Sequence, residues 1–208
     1  MDGEALREAV EEAKATELDR LDSPRLVLAL TGGDPDPGGV LRAAAHSEYA
    51  ARETFRAWAG TAEDQAVRAA FERVAEQEDE HYRRVLDVLS DADFEPADGG
   101  PMHAYLRGRE DAIERVAAGM VGRPLASLRT YARIVEYFVD EGDARTADTF
   151  RDLRAETAAV VDDGLSLLED RCDSEDDWER ARMVAEYVVQ VSCDDFADGL
   201  ANLGSDPE

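Results

Sequence analysis

Apolar residues recur at three- and four-residue spacing along most of the chain, and no segment alternates as a strand would. Turn and cap signals divide this pattern into helices. The first is expected over about Asp2–Asp22, and Ser23-Pro24 opens a short one that ends at Gly32-Gly33. Asp34 to Gly39 is turn-rich, and a first long helix follows to about Gly60. Thr61-Ala62-Glu63-Asp64 resembles a capping box opening a second long helix, which reaches about Ser90. Asp91 to Pro101 reads as loop. A helix over Met102–Met120 is expected to break at Gly122-Arg123-Pro124. A third long helix then runs to Val139, a fourth from Asp143 to about Glu169, and a last one from the cap at Ser174–Asp177 to about Leu203.

Short turns join the first long helix to the second and the third to the fourth, which predicts two antiparallel hairpins. The long passage between the hairpins suits a crossover connection, so the fold class is all-α, a four-helix bundle with N- and C-terminal accessory helices. The corresponding divisions are 1–37, 38–171 and 172–208. The last helix carries an apolar stripe through Trp178, Val188 and Leu200 that must be covered by the bundle or by a second subunit, which favours self-association slightly.

The informative positions are those that interrupt the stripes. The first long helix runs Leu41, Ala44, Glu48, Ala51, Phe55, Trp58. The second runs Val67, Phe71, Val74, Glu78, His81, Val85, Val88. Glu48, Glu78 and His81 thus occupy places that the pattern assigns to the core. A buried carboxylate needs compensation, and a cation is the simplest one. Glu48 and Glu78 lie at similar distances from the intervening turn, so they come level in an antiparallel pair. Glu156, between Leu153 and Val160 on the fourth helix, sits at a similar distance beyond its own turn. Glu48, Glu78, His81 and Glu156 are therefore the candidate metal ligands. The competing reading is a solvated edge or a buried polar cluster in which Arg52 or Arg84 closes ion pairs. His46 and His103 read as surface residues, Tyr131 and Tyr137 as core or rim aromatics, and Asp173 to Asp177 as a solvated cap.

Charge narrows the functional classes. The chain has 208 residues, 49 acidic and 23 basic, for a net charge of -26, and Lys14 is its only lysine. Acid spread over the whole length is expected of a protein working in molar salt, where the Debye length falls to about 3 Å. No basic patch is available for phosphates, which argues against nucleic-acid binding. Cys172 and Cys193 are the only cysteines, too few for a thiolate metal centre, and free thiols are expected. No signal peptide opens the chain and no apolar run approaches the roughly 20 residues of a membrane span. A high-salt cytoplasm is the expected location.

Two segments resemble the rubrerythrin branch of the ferritin-like family. Ala45-His46-Ser47-Glu48-Tyr49-Ala50-Ala51-Arg52 is similar to its first-helix motif, with an iron-binding glutamate and an arginine four positions on. Glu76-Gln77-Glu78-Asp79-Glu80-His81 is similar to its second-helix motif, whose Glu-x-x-His supplies a bridging carboxylate and an imidazole. The resemblance implies a ferritin-like bundle holding one or two irons per chain, with manganese or zinc as other occupants. It also implies an oxidative-stress protein reacting with peroxide or oxygen. No rubredoxin-like segment is present, so an enzyme of this kind needs a separate electron donor. The second half departs from the pattern: no carboxylate stands at Leu128 to Tyr131, and Ala159 replaces the second histidine. The alternative is a degenerate bundle serving as an assembly or regulatory module without catalysis.

Overall fold

The computed structural model describes residues 1–91, 93–97 and 99–204; residues 92 and 98 of the expected loop, and 205–208, lie outside the described residues. All regular structure within them is helical, in the order α1 (Gly3–Ala13), α2 (Ala15–Leu21), α3 (Leu26–Leu30), α4 (Pro37–Thr61), α5 (Gln65–Leu89), α6 (Pro101–Arg107), α7 (Ala112–Val116), a π-helical segment (Ala117–Gly122), α8 (Arg123–Asp140), α9 (Ala144–Glu169) and α10 (Glu175–Asn202). No described helix is long and apolar enough to cross a membrane.

Local chemistry sets the ends of the long helices. Asp36 accepts the Gly39 N–H ahead of Pro37, whose missing donor costs nothing in a first turn. Asp64 alone caps α5, accepting from Ala66 and Val67. The expected box beginning at Thr61 is not formed, because α4 continues through Thr61. The Ser174–Asp177 box at the start of α10 is complete.

α4 pairs with α5 and α8 with α9, and the crossover carries α6 and α7. Phe55, Trp58 and Phe71 form an aromatic core, with Phe55 edge-on to Trp58 at 5.3 Å between ring centroids. Leu6 and Val10 of α1, and Trp178, Ala181 and Val188 of α10, are buried in that same core. The apolar stripe of α10 is therefore covered within one chain. Cys172 and Cys193 are free thiols.

The break expected at Gly122-Arg123-Pro124 does not occur, and the helix expected over Met102–Met120 is interrupted at residues 108–111. The chain instead runs helically from Ala112 to Asp140, and the Arg123 N–H donates to the Ala118 carbonyl across a wide π turn. That turn relieves the clash and lost hydrogen bond that Pro124 would impose on a regular helix. Small residues let it sit deep. A methyl at Gly122 would stand 2.7 Å from the Ala185 carbonyl oxygen, and one at Gly164 would stand 2.6 Å from Met120 Cβ. The π turn also changes the phase of the helix, and Arg123 is buried.

Candidate metal centre

α4 supplies Glu48 and α5 supplies Glu78 and His81, all buried with at most 1 % of their surface exposed. Their stripe positions account for this: each lies between apolar residues that face the bundle. The three bring ligand atoms within 4.8 Å of one another. Glu48 Oε2, Glu78 Oε2 and His81 Nδ1 each lack a hydrogen-bond partner, although such atoms are costly to bury unsatisfied. His81 Nδ1 lies 3.8 Å from Glu48 Oε2, an ion-pair separation rather than a hydrogen bond.

The other halves of these groups are held. Tyr131 of α8 donates its hydroxyl to Glu48 Oε1 at 2.5 Å. Arg123 Nη2 donates to Glu78 Oε1, and both side chains are almost fully buried. His81 Nε2 lies 2.8 Å from Glu156 Oε2. Glu156 does not join the buried cluster. Its side chain is 42 % exposed and is gripped by both terminal nitrogens of Arg84, while only its Oε2 reaches His81. Arg52 binds Asp79 at 2.9 Å instead of a cluster carboxylate.

Two carboxylates this close cannot share one ionisation behaviour. Burial alone would raise Glu48, but the adjoining His81 outweighs it and holds the group at about 2. Burial and then the Glu48 charge push Glu78 up to about 7, against the pull of Arg123. Burial would lower His81, but Glu48, Glu78 and Glu156 together raise it. Tyr131 is driven well above its usual range by burial and by both carboxylates, so it remains a donor.

The donor set of Glu48, Glu78 and His81 fits a cation. The guanidinium of Arg123 holds the other oxygen of Glu78, no carboxylate of α8 joins the cluster among the described residues, and Glu156 is tied to Arg84. Sequence reasoning missed Arg123. A signal existed, since it is the only charged residue between Arg115 and Arg129 and stands among small and apolar neighbours. Tyr131, expected as a core or rim aromatic, is buried in the core and also donates its hydroxyl to Glu48. The surface reading of His103 is overturned: it is 3 % exposed, because α6 tucks it under α4 with Ser47 Oγ 3.3 Å from its Nε2. His46 is half-buried, accepting the Ala97 N–H at 2.9 Å.

The role of Glu156 is directly testable. As the partner of His81 Nε2 it fixes the ring and its proton, so Glu156→Ala is expected to weaken metal binding by about 10–100-fold without changing the number of ions bound. A titration showing one ion fewer would make it a ligand instead.

The family model described as Rubrerythrin matches residues 39–157. That span begins inside α4, ends inside α9 and contains all the residues of the cluster. No curated protein and no solved structure matches the chain.

Proposed function

The chain belongs to the rubrerythrin family, and from that premise we propose that it holds a single divalent transition metal between Glu48, Glu78 and His81. The observation that carries this reading is the set of three buried donor atoms, on Glu48, Glu78 and His81, with no other partner. Two carboxylates and an imidazole suit Fe(II), Mn(II) or Zn(II). Iron is the occupant we favour, as an oxidative-stress centre that reacts with peroxide or oxygen.

Each neighbour has a defined task. A proton on His81 Nε2, shared with Glu156, leaves Nδ1 free to ligate. Because its carboxylate neighbours raise the His81 pKa, metal uptake would displace a proton from that ring. Tyr131 orients Glu48 through its hydroxyl. Arg123 supplies one fixed positive charge to Glu78, where a second metal would otherwise be needed. A bound iron would supply the redox chemistry. Reducing peroxide to two waters consumes two electrons and two protons, and the electrons must come from a separate donor.

One observation favours a second reading, a metal-free bundle with an assembly or regulatory role. Ionised Glu48 and Glu78 are balanced by Arg123 and a protonated His81, so the cluster can reach neutrality unaided. The readings separate in an assay of peroxide loss by iron-loaded protein with a chemical reductant. Turnover abolished in Glu78→Ala/His81→Ala supports the first, and turnover no faster than free iron supports the second.

A further inference from the structure

The helices outside the matched span build one side of a cavity next to the cluster. It has a volume of about 390 Å³ and lies between α3 and α10 on one side and α4, α6 and α8 on the other. A water needs about 10–15 Å³ of such space, so an ion fits there with its water shell. Glu48 lines the cavity together with Tyr131, whereas Glu78 and His81 do not. Glu48 is thus the one candidate ligand that cavity and cluster share, and it is 1 % exposed.

Charge makes this cavity a path for cations. No lysine or arginine lines it among the described residues. Its two histidines add no opposing charge at neutral pH: burial and then Arg123 push His103 down to about 3, and burial and then Arg42 lower His46. Asp195 and Asp198 of α10 line it and stand exposed, so they mark its mouth. Burial and then the Asp198 charge raise Asp195, with no cation pulling it down. The other flanks of the cluster carry guanidinium groups. Arg123 holds Glu78, Arg84 holds Glu156 beyond His81, and Arg52, Arg56 and Arg83 all bind Asp79, next to Glu78 on α5. A dication coming from those sides would pass a fixed positive charge and break an ion pair.

We propose that this cavity is the passage by which the metal reaches and leaves the cluster, with Asp195 and Asp198 drawing it to the mouth and Glu48 receiving it at the inner wall. The passage rests on the single-metal reading, and the two fail differently: occupancy reports the metal, whereas exchange rates report the route. Zn(II) uptake and release by the full-length chain are followed by stopped flow against a fluorescent zinc chelator, beside an equilibrium titration. The signal of Glu78→Ala/His81→Ala is subtracted as surface binding. Ser127→Trp, at a half-buried lining position, fills the passage. It is expected to slow uptake and release alike, each about tenfold, and to leave the dissociation constant unchanged, since a higher barrier acts on both directions equally. Asp195→Asn/Asp198→Asn alters only exposed side chains. It is expected to slow uptake about threefold in dilute buffer and not at all in molar salt, where the Debye length is about 3 Å. If the tryptophan unfolds the chain, the aspartate pair decides alone. Unchanged rates in a folded Ser127→Trp, affinity lost there through faster release, or unchanged uptake by the aspartate variant in dilute buffer would each overturn the route. No Zn(II) bound by the unmodified chain would overturn the metal reading and the route with it.

Discussion

Arg123→Met is expected to lower the unfolding free energy by about 3–5 kcal/mol near neutral pH, the usual cost of removing one partner from a buried ion pair. Methionine fills much of the same volume and packs well in irregular space, so the loss reports charge more than cavity. Glu78 would keep Oε1 buried without the guanidinium that now holds it. The effect has a definite pH dependence. Burial and Glu48 already raise the Glu78 pKa to about 7 with Arg123 present, and removing that opposing charge raises it further. A carboxyl with a raised folded-state pKa contributes stability below its unfolded value of about 4.5, and that contribution is lost as pH rises through the folded value. The deficit in Arg123→Met is therefore expected to be largest above about pH 7 and to shrink toward pH 5, where Glu78 is protonated in both proteins. Urea unfolding across that range checks it. Adding Glu78→Gln should recover most of the loss, since the amide needs no counter-charge. A pH-independent deficit would show that Arg123 acts by packing alone.

The second large effect concerns metal-linked stability. With free metal about a hundredfold above its dissociation constant, one bound ion stabilises the folded chain by about 2.7 kcal/mol. For a chain of this length that corresponds to a rise of roughly 5–10 °C in melting temperature. The rise is expected in the unmodified protein and is expected to vanish in Glu78→Ala/His81→Ala, because a single remaining carboxylate cannot hold the ion. Melting curves with and without added Mn(II), which resists air oxidation better than Fe(II), check it. Persistence of the shift in the variant would locate the ion elsewhere, on the acidic surface.

Glu48, Glu78 and His81 were legible because a polar residue on an apolar helical stripe is an anomaly visible without coordinates, and all three are buried. The two hairpins followed from the turns at residues 62–64 and 141–143, and the accessory helices from caps such as Ser174. Glu156 was placed on the correct helix, but stripe position does not say how far a side chain leans outward. Arg84, one turn from Glu80 on α5, draws it to the bundle's edge. Arg123 is a lone charge among small and apolar neighbours, but a regular 3.6-residue period with a break at Gly122 and Pro124 does not place it inside. The π turn keeps the helix continuous and changes its phase, which brings a charged residue inside. His103 was misplaced for a related reason: α6 is too short for periodicity to reveal which side is buried.

The two cations facing Glu48 and Glu78 also give the departure from a four-carboxylate bundle a physical meaning. A buried guanidinium on Glu78 and a histidine beside Glu48 keep the charge of the cluster low. A dication added there would meet two carboxylates and one fixed positive charge, and the proposed occupancy of one ion rests on that balance.

Metal-to-protein ratio tests that limit most directly. The chain is to be purified in molar salt without chelators or a metal-binding tag, and its intact mass and elemental content measured beside those of Glu78→Ala/His81→Ala. Close to one transition-metal ion per chain is expected, lost in the variant. Two ions per chain, or an equal content in the variant, would contradict it.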